Sequence, residues 1–355
     1  MTTQETWAAL GKKAQIEHLE KGLPAPDSAG IFGLSVSEDE SELMLIPVPW
    51  EATTSYGGGT SQTPDRIIQA SHQLDLFDLD FGEPFKSGIG YSQFGKDFEL
   101  KNKEAKDFVD SARVKQDSGA EPHEIEEVKK VNEASNELNK LVYEEAKRLL
   151  SKNKKVGLVG GDHSTPYGLI KALSEKYNSF GILHIDAHFD FRKAYEGFTN
   201  SHASIMYNIM NDFNNVSHIY QIGIRDFSKQ EYEFQKSLGD RALVHFSKTV
   251  FEKLSEPGGA KNIFKEINEY LPENIYISFD IDGLDPKLCP GTGTPVPGGL
   301  DFEFTCSLLA SLKAAGKNIV GFDLVEVASP DGEEWDLNVG ARMLYKLCGL
   351  TLSDK

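Results

Sequence analysis

The sequence contains few cysteines and no long apolar stretch. Its three cysteines, Cys289, Cys306 and Cys348, are an odd number at wide spacing and include no CxxC pair. This pattern gives no disulfide framework and is typical of a reducing compartment, so we expect a cytoplasmic protein. The most apolar stretch, residues 43–50, is short and contains two prolines, whereas a membrane span needs about 20 apolar residues. Residues 1–22 lack the apolar core of a signal peptide.

Basic residues are also scarce. The chain has 37 lysines and arginines against 55 aspartates and glutamates, which gives a formal net charge of -18. A surface this acidic repels phosphate backbones and anionic lipids, so nucleic acids and membranes are poor partners. It favours small cationic ligands, although salt weakens that attraction over distance.

Two stretches lack the regular pattern of the rest of the chain. Residues 1–40 predict an N-terminal helical appendage, in which apolar residues recur at helical spacing from Trp7 to Ala14 before a linker rich in Pro, Gly, Ser and Asp. Residues 82–120 are polar and only weakly periodic, which favours a surface excursion. We interpret residues 41–355 as a single domain.

Short apolar runs alternate with helical stretches through this domain. The runs predict strands over 43–47, 156–159, 180–185, 216–222, 243–246, 275–279 and 319–325. Helices are predicted to start near Pro64, Pro122, Thr165, His202, Asp226, Asn262, Asp301 and Asn338. Apolar strands that alternate with helices indicate a mainly parallel sheet covered on both faces. The expected fold class is therefore α/β, with three α-β-α layers.

Three of the predicted strands are followed by clusters of polar residues. The clusters are Gly160-Gly161-Asp162-His163-Ser164, Asp186-Ala187-His188-Phe189-Asp190 and Asp280-Ile281-Asp282-Gly283-Leu284-Asp285-Pro286. In such sheets, ligands bind at the carboxyl ends of the strands. Residues two apart share one side of an extended backbone, so we expect Asp186, His188 and Asp190 to point together. The same reasoning places Asp280 beside Asp282.

These clusters gather two imidazoles and four carboxylates. The six residues are His163, His188, Asp186, Asp190, Asp280 and Asp282. Adjacent carboxylates repel one another unless they are protonated or bound to cations. A carboxylate-rich set suits hard divalent ions such as Mn2+, and six ligands suit two ions that share carboxylates. Each motif alone could be an ordinary strand end, but all three in one chain favour a metal centre.

The three motifs resemble the signature motifs of the ureohydrolase superfamily, which includes arginases, agmatinases and formiminoglutamases. The resemblance covers residues 43–350 and implies an arginase-type fold with a binuclear manganese centre. It also implies that a hydroxide bridging the metals attacks a guanidino or formimino carbon. Relatives are usually trimers or hexamers, so a homo-oligomer is expected.

The resemblance implies which residues hold each metal. One metal would be held by His163, Asp186, Asp190 and Asp280. The other would be held by Asp186, His188, Asp280 and Asp282, so that Asp186 and Asp280 bridge. Some family members use nickel, and the ligand set leaves both Mn2+ and Ni2+ open. His184 is expected to be a packed neighbour, because the ligand set is already full.

The same resemblance assigns further roles. Asp190 would carry a proton to the leaving nitrogen. Glu326, after the last predicted strand, would orient the guanidinium group, although it could be a partly exposed strand-end glutamate. His202 matches the family's proton-shuttle histidine, although it could simply begin a helix. Thr294 lies where the family has a threonine near the substrate. The glycine-rich loop 53–60 resembles a substrate-side loop of agmatinase-like members, or it merely allows a tight turn.

Arg192 separates the possible substrate classes. If it points inward, it would bind the carboxylate of formiminoglutamate or of a guanidino acid and repel the ammonium group of agmatine. If it points outward, it would pair with Glu196 at i+4. We slightly favour the outward pairing, because Lys193 already adds a second positive charge there. Aromatic residues in 195–199 would suit free guanidine.

The leading hypothesis is a metal-dependent amidinohydrolase. It would release urea, with an amine or ammonia, from agmatine, arginine, a guanidino acid or guanidine. The first alternative is a formiminoglutamase, which would release formamide. A non-catalytic metal-binding or regulatory member of the same fold is an alternative from another class, and an absent ligand would indicate it. All six ligands are present in this chain.

Overall fold

An eight-stranded sheet, with every neighbouring pair parallel, forms the centre of the structure. The computed structural model describes residues 7–95, 98–329, 332 and 334–353. The strands are β1 (Leu43–Val48), β2 (Ile89–Tyr91), β3 (Lys155–Gly160), β4 (Phe180–Ile185), β5 (Val216–Ile224), β6 (Ala242–Phe246), β7 (Asn274–Asp280) and β8 (Asn318–Val325). They lie in the order β2-β1-β3-β8-β7-β4-β5-β6. The predicted α/β class with a parallel sheet is confirmed.

Helices cover both faces of this sheet. They are α1 (Gly11–Glu20), α2 (Thr63–Ser71), α3 (Phe98–Asp117), α4 (Glu126–Ser151), α5 (Tyr167–Lys176), α6 (Ile205–Asp212), α7 (Lys229–Ser237), α8 (Ser247–Leu254), α9 (Gly259–Tyr270), α10 (Phe302–Ala314) and α11 (Trp335–Leu352). Buried side chains of α2 and α8–α11 form one core with the sheet, and those of α3–α6 form a second. Neighbouring residues in β3 show the alternation, since Leu158 packs into the second core and Val159 into the first.

All seven predicted apolar runs lie inside observed strands, and the predicted helix starts fall within four residues of the observed ones. Asp301 is the N-cap of α10, where its side chain accepts a hydrogen bond from the backbone N–H of Glu303. Such agreement follows from the strands being buried on both faces, because a strand of this kind must be apolar along its whole length.

The expectation of a surface excursion over residues 82–120 is wrong. β2 is an edge strand of the sheet, and α3 is a 20-residue helix that packs against α4. The buried face of α3 includes Asn102, Ala105 and Ala112, which are polar or small. A helix that buries such residues shows little hydrophobic periodicity in its sequence.

The N-terminal segment packs through Trp7, Ile16 and Leu19 and through a polar residue, but not through the whole apolar stripe that the sequence suggests. Gln15 in α1 is buried, and its Nε2 donates to the carbonyls of Trp7 and Ser35 at 3.1 and 3.3 Å. Leu10, in contrast, is 51% exposed. Residues 1–6 of the predicted appendage lie outside the described residues. Its separation from the domain over 41–355 stays a prediction.

No helix among the described residues combines the length and the apolar character needed to cross a bilayer.

Candidate active site

The predicted motifs meet at the carboxyl ends of four neighbouring strands, β3, β8, β7 and β4. The motif after β3 approaches the chain that follows β1 very closely. A Cβ on Gly161 would lie 1.9 Å from the carbonyl oxygen of Trp50, so this position requires glycine. The carbonyl of Gly161 accepts a hydrogen bond of 2.8 Å from the backbone N–H of Glu326, which follows β8.

A buried hydrogen-bond network fixes the tautomer of His163. The carboxylate of Asp323 accepts hydrogen bonds from the hydroxyls of Tyr276 and Ser278 and from the backbone N–H of Phe279, at 2.7, 3.1 and 3.2 Å. Ser278 donates its one hydroxyl proton to Asp323. It therefore accepts from Nε2 of His163, which lies 2.9 Å from its Oγ. Nδ1 of His163 consequently carries a lone pair.

This lone pair points into a group of carboxylates. Nδ1 of His163 lies 3.0, 3.1 and 3.2 Å from Oδ2 atoms of Asp186, Asp190 and Asp280, respectively. The nitrogen is buried and has no hydrogen-bond partner. Four acceptor atoms that converge without a donor between them fit a divalent cation, and the oxygen-rich set fits a hard one.

A second ligand group lies beside the first. Nδ1 of His188 lies 3.1 Å from Oδ2 of Asp282 and 3.5 Å from Oδ1 of Asp186. Asp186 thus turns one oxygen to His163 and the other to His188, which is the arrangement a bridging carboxylate needs. The structure therefore brings together the six residues that the sequence predicts as ligands, with Asp280 placed by its contact with His163, and this donor set fits a binuclear metal centre. His184 lies close enough to belong to the first group as well.

The backbone reaches this arrangement by a different route from the extended segments that we expected. β4 ends at Ile185, and Asp190 adopts a left-handed conformation with φ of 55°. Asp280 is the last residue of β7, but Asp282 lies in a turn of 3-10 helix, where its backbone N–H donates to the side chain of Asp280 at 2.8 Å. Turns after the strands, and not alternation along them, direct these side chains.

His184 supports the carboxylate that the two groups share. Gln221 donates from Nε2 to Nδ1 of His184 at 2.8 Å and to the carbonyl of Phe189 at 3.0 Å. His184 then donates from Nε2 to Oδ2 of Asp186, also at 2.8 Å. His245, which the sequence left unassigned, bonds to the hydroxyl of Tyr220 and does not line the cavity described below.

Crowding and burial shift the acidity of these carboxyl groups. Burial, together with the nearby charge of Asp186, raises the pKa of Asp190 to about 6. Burial and the neighbouring Asp282 raise the pKa of Asp280 well above its usual range. In Asp186, burial opposes ionisation, but the adjacent His184, which donates to its Oδ2, holds the pKa well below the usual range. Cations would relieve the repulsion that these opposite shifts reflect.

A cavity of about 280 Å3 opens above the ligand groups. Its lining includes each residue to which the sequence assigned a role in substrate chemistry: Asp190, Arg192, His202, Thr294 and Glu326. Oγ1 of Thr294 lies 3.4 Å from Oδ2 of Asp282.

Glu326 presents a free oxygen in this buried setting. It has a left-handed φ of 60°, and its Oε1 accepts a hydrogen bond of 2.9 Å from the backbone N–H of His163. Its Oε2 is buried and has no partner. Burial and the neighbouring Asp162 raise the pKa of the Glu326 carboxyl well above its usual range. A cationic donor in the cavity would satisfy this oxygen.

His202 begins a turn of 3-10 helix that leads into α6. Its backbone N–H donates to Oγ1 of Thr53 at 3.1 Å, and its Nδ1 lies 3.2 Å from the same oxygen. Burial, with the nearby charges of His188 and Arg113, lowers the pKa of His202 to about 3. The imidazole is therefore neutral near pH 7.

The predicted pairing of Arg192 with Glu196 is wrong. Nε of Arg192 lies 3.5 Å from Oε2 of Glu231, and its guanidinium group lies over the ring of Tyr195 at 4.6 Å. Glu196 pairs instead with Arg113, at 2.9 Å. Ala194 and Glu196 have φ of 49° and 56°, so the segment is not the regular helix that an i+4 pair requires.

Sequence reasoning did not identify Asp226 and Phe227 of the cavity wall, which follow β5. Tyr56, also in the wall, belongs to the glycine-rich loop 53–60 that the resemblance places on the substrate side. Since β5 pairs with β4, its carboxyl end lies at the same edge of the sheet, which is the signal that could have identified Asp226. No comparable signal marks Arg113, because it lies in a helix that the sequence did not reveal.

Comparison with known proteins gives a consistent result. A sequence model of the arginase family matches residues 41–349. The chain is 30% identical over 313 residues to the N(1)-aminopropylagmatine ureohydrolase of Thermus thermophilus, covering 88% of this chain and 91% of that one. It is 28% identical over 296 residues to the agmatinase of Bacillus anthracis, covering 82% and 85%.

Among solved structures, a hypothetical agmatinase from Burkholderia thailandensis superimposes with a TM-score of 0.69 at 23% identity. The match covers 91% of this chain and 90% of that one, and it supports the arginase-type fold. The match to the family model over most of the chain agrees with the three motifs and with the geometry at the sheet edge. The chain belongs to the arginase family.

Proposed function

We propose that the chain is a binuclear-metal hydrolase that cleaves a guanidino compound with a cationic tail into urea and an amine. One observation carries the proposal: two residues that line the same cavity each have an unpartnered buried atom, Nδ1 of His163 among three carboxylates and Oε2 of Glu326. The first feature suits a metal ion and the second suits a guanidinium group. The names of the two relatives, an aminopropylagmatine ureohydrolase and an agmatinase, support the same substrate class.

The ligand groups divide between two ions. His163, Asp186, Asp190 and Asp280 would hold one, and Asp186, His188, Asp280 and Asp282 would hold the other. The excess of carboxylates favours Mn2+, and Ni2+ is the second candidate. The chemistry that such ions supply when bound is a water of lowered pKa, a source of hydroxide near neutral pH.

Three side chains of this chain would serve the reaction directly. Oε2 of Glu326 accepts N–H groups of the guanidinium and so orients its planar carbon towards the ligand groups. Asp190, which lines the cavity between the ligand groups and the substrate, would carry a proton on its carboxylate to the leaving nitrogen. His202, at the cavity wall, would exchange protons with solvent to restore the starting state.

The outer part of the cavity supports a cationic tail. Asp226 contributes a carboxylate to its lining, and Tyr56 and Phe227 contribute aromatic rings, whereas the carboxylate of Glu231 is buried and already accepts hydrogen bonds from Ser228 and Phe191. Arg192 is the one arginine or lysine in the described lining, and Glu231 and Tyr195 already engage it. This wall suits an ammonium group on a methylene chain, as in agmatine or its aminopropyl derivative. It suits the carboxylate of formiminoglutamate less well.

A product assay tests the proposal. The protein loaded with Mn2+ or Ni2+ is given agmatine, aminopropylagmatine, arginine, guanidinobutyrate, guanidine and formiminoglutamate in turn. We expect urea, and most of it from the two substrates with cationic tails. Formamide from formiminoglutamate without urea from any guanidino compound would overturn the proposal in favour of a formiminoglutamase. Two bound ions with neither product would indicate a non-catalytic member.

We further propose a cytoplasmic homo-oligomer, a trimer or hexamer. The three free, buried cysteines support a reducing compartment. Light scattering on the purified protein tests the assembly, and a monomeric mass would contradict it.

A further inference from the structure

Helix α3 carries an arginine that ties together two loops beside the cavity. Arg113 donates from Nη1 to the carbonyl of Thr54 at 3.0 Å and from Nη2 to the carbonyl of Thr53 at 3.2 Å. Its Nε donates to Oε2 of Glu196 at 2.9 Å. Only the planar fork of a guanidinium group can reach these three acceptors at once. Arg113 itself does not line the cavity.

The loop that contains Glu196 needs such support. Ala194 and Glu196 both have left-handed backbone conformations, which are unfavourable outside glycine. Besides Arg113, Gln116 of α3 donates to the carbonyl of Glu196 at 3.0 Å. Between the two strained residues lies Tyr195, which lines the cavity. The helix thus stabilises the conformation that directs Tyr195 towards the site.

The two loops held by Arg113 meet at the same histidine. Thr53 contacts both the backbone N–H and Nδ1 of His202 through its Oγ1. On the other side, the ring of Tyr195 lies perpendicular to the imidazole, with 6.2 Å between the ring centroids. Arg113 therefore acts on residues that flank His202 without touching His202 itself.

We propose that Arg113 is a positioning residue: by holding Thr53 on one side and Tyr195 on the other, it fixes the imidazole of His202 at the cavity wall. The inference rests on the proposed function for the role of His202 in turnover, whereas the positioning itself can be measured without turnover. Helix α3 is in this view part of the active site's framework and not a peripheral addition.

The test compares Arg113→Met and Arg113→Lys with Lys101→Gln. Lys101 is a matched control, because it lies in the same helix and forms an exposed ion pair of 2.9 Å with Glu137, away from both loops. We expect Arg113→Met to lower kcat by about tenfold to a hundredfold through misplacement of His202, with KM and metal content little changed. Arg113→Lys should restore little, because an ammonium group cannot reproduce the fork. Lys101→Gln should behave as wild type.

Two readouts separate positioning from a general structural role. In a His202→Ala background, Arg113→Met should cause almost no further loss of kcat, since the group it positions is gone. In the metal-free protein, diethyl pyrocarbonate should modify His202 several-fold faster in Arg113→Met than in wild type or Lys101→Gln. The proposal would be overturned if Arg113→Met lowered kcat by the same factor in the His202→Ala background as in wild type. An unchanged rate of His202 modification would also overturn it.

Two outcomes need separate treatment. If Arg113→Met does not fold, Thr53→Val and Thr53→Ser are used to test whether the Thr53 side of the arrangement positions His202. Only the serine variant keeps the hydroxyl that contacts His202. Loss of kcat in the valine variant with retention in the serine variant supports the proposal, and equal behaviour of the two overturns it. If wild type releases no urea from any substrate, the proposed function has failed, while the modification rates still test the positioning.

Discussion

The two sides of the cavity are built in different ways. On the ligand side, side chains follow the ends of central strands and are almost fully buried, with Asp280 and Asp282 both 3% exposed. On the tail side, Tyr56 and Phe227 come from loops and are far more accessible, at 87% and 38% exposed. A rigid sheet fixes the groups that perform the chemistry, while loops present the groups that contact the rest of the substrate. Substrate preference can therefore change without disturbing the reacting centre.

The largest effect is expected where both ligand groups depend on one residue. Asp186→Asn should abolish binding of both ions and lower kcat/KM by at least about a thousandfold, because several kcal/mol of charge stabilisation are lost. Asp282→Ala should weaken one ion more than the other, since Asp282 belongs to one group. Elemental analysis and urea release measure both variants. Retention of two ions by Asp186→Asn would contradict the shared-carboxylate arrangement.

Glu326→Gln tests whether Glu326, which lies between the ligand side and the tail side, binds the guanidinium group of the substrate. A neutral amide pairs poorly with guanidinium, so we expect a higher KM, a lower kcat and about a hundredfold loss in kcat/KM at unchanged metal content. The exposed Glu303→Gln in α10 is a control that should leave all three values unchanged. Normal turnover by Glu326→Gln would mean that this glutamate has only a structural role.

Removing the hydroxyl of Ser278 tests whether the hydrogen-bond network behind His163 supports the ligand side. Without this acceptor, Nε2 of His163 is no longer held, and the tautomer with a lone pair on Nδ1 loses its support. We expect Ser278→Ala to weaken metal affinity about tenfold to a hundredfold. Metal titration measures this, with Ser237→Ala as a surface control. An unchanged affinity would show that the surrounding carboxylates alone orient His163.

The ligand side is predictable from the sequence for a physical reason. Strands buried on both faces must be apolar, so the polar residues Asp186, His188 and Asp280 at their carboxyl ends stand out against the apolar runs. Even there, the turn geometry was not foreseeable, because the left-handed backbone of Asp190 depends on its tertiary surroundings.

The contacts on the tail side could not be predicted from the sequence, because they join polar residues that are far apart in the chain. Arg113 and Glu196 are 83 residues apart, and neither belongs to a periodic pattern. Among the buried residues of helix α3, Phe98 and Val109 are large and apolar and the others are small or polar, so its apolar stripe is weak. The expected pairing of Arg192 with Glu196 assumed helical spacing in a segment whose backbone is left-handed at two positions. Local rules fail where distant partners stabilise an unfavourable conformation.

The smallest effect is expected at Arg192, which tests what the tail side recognises. Arg192 contacts Glu231 and Tyr195, but its side chain is partly exposed, and exposed ion pairs contribute little. Arg192→Ala should therefore cost under about 1 kcal/mol of stability. Removing a positive charge from the cavity wall that also contains Asp226 should leave kcat/KM for agmatine and aminopropylagmatine unchanged or slightly higher, since the wall becomes more acidic. The neighbouring, exposed Lys193→Ala is the matched control. The measurement is kcat/KM for all three proteins across the cationic, neutral and acidic substrates. A selective loss on guanidinobutyrate or formiminoglutamate would show that Arg192 turns inward to bind a carboxylate, and it would reverse the assignment of a cationic tail.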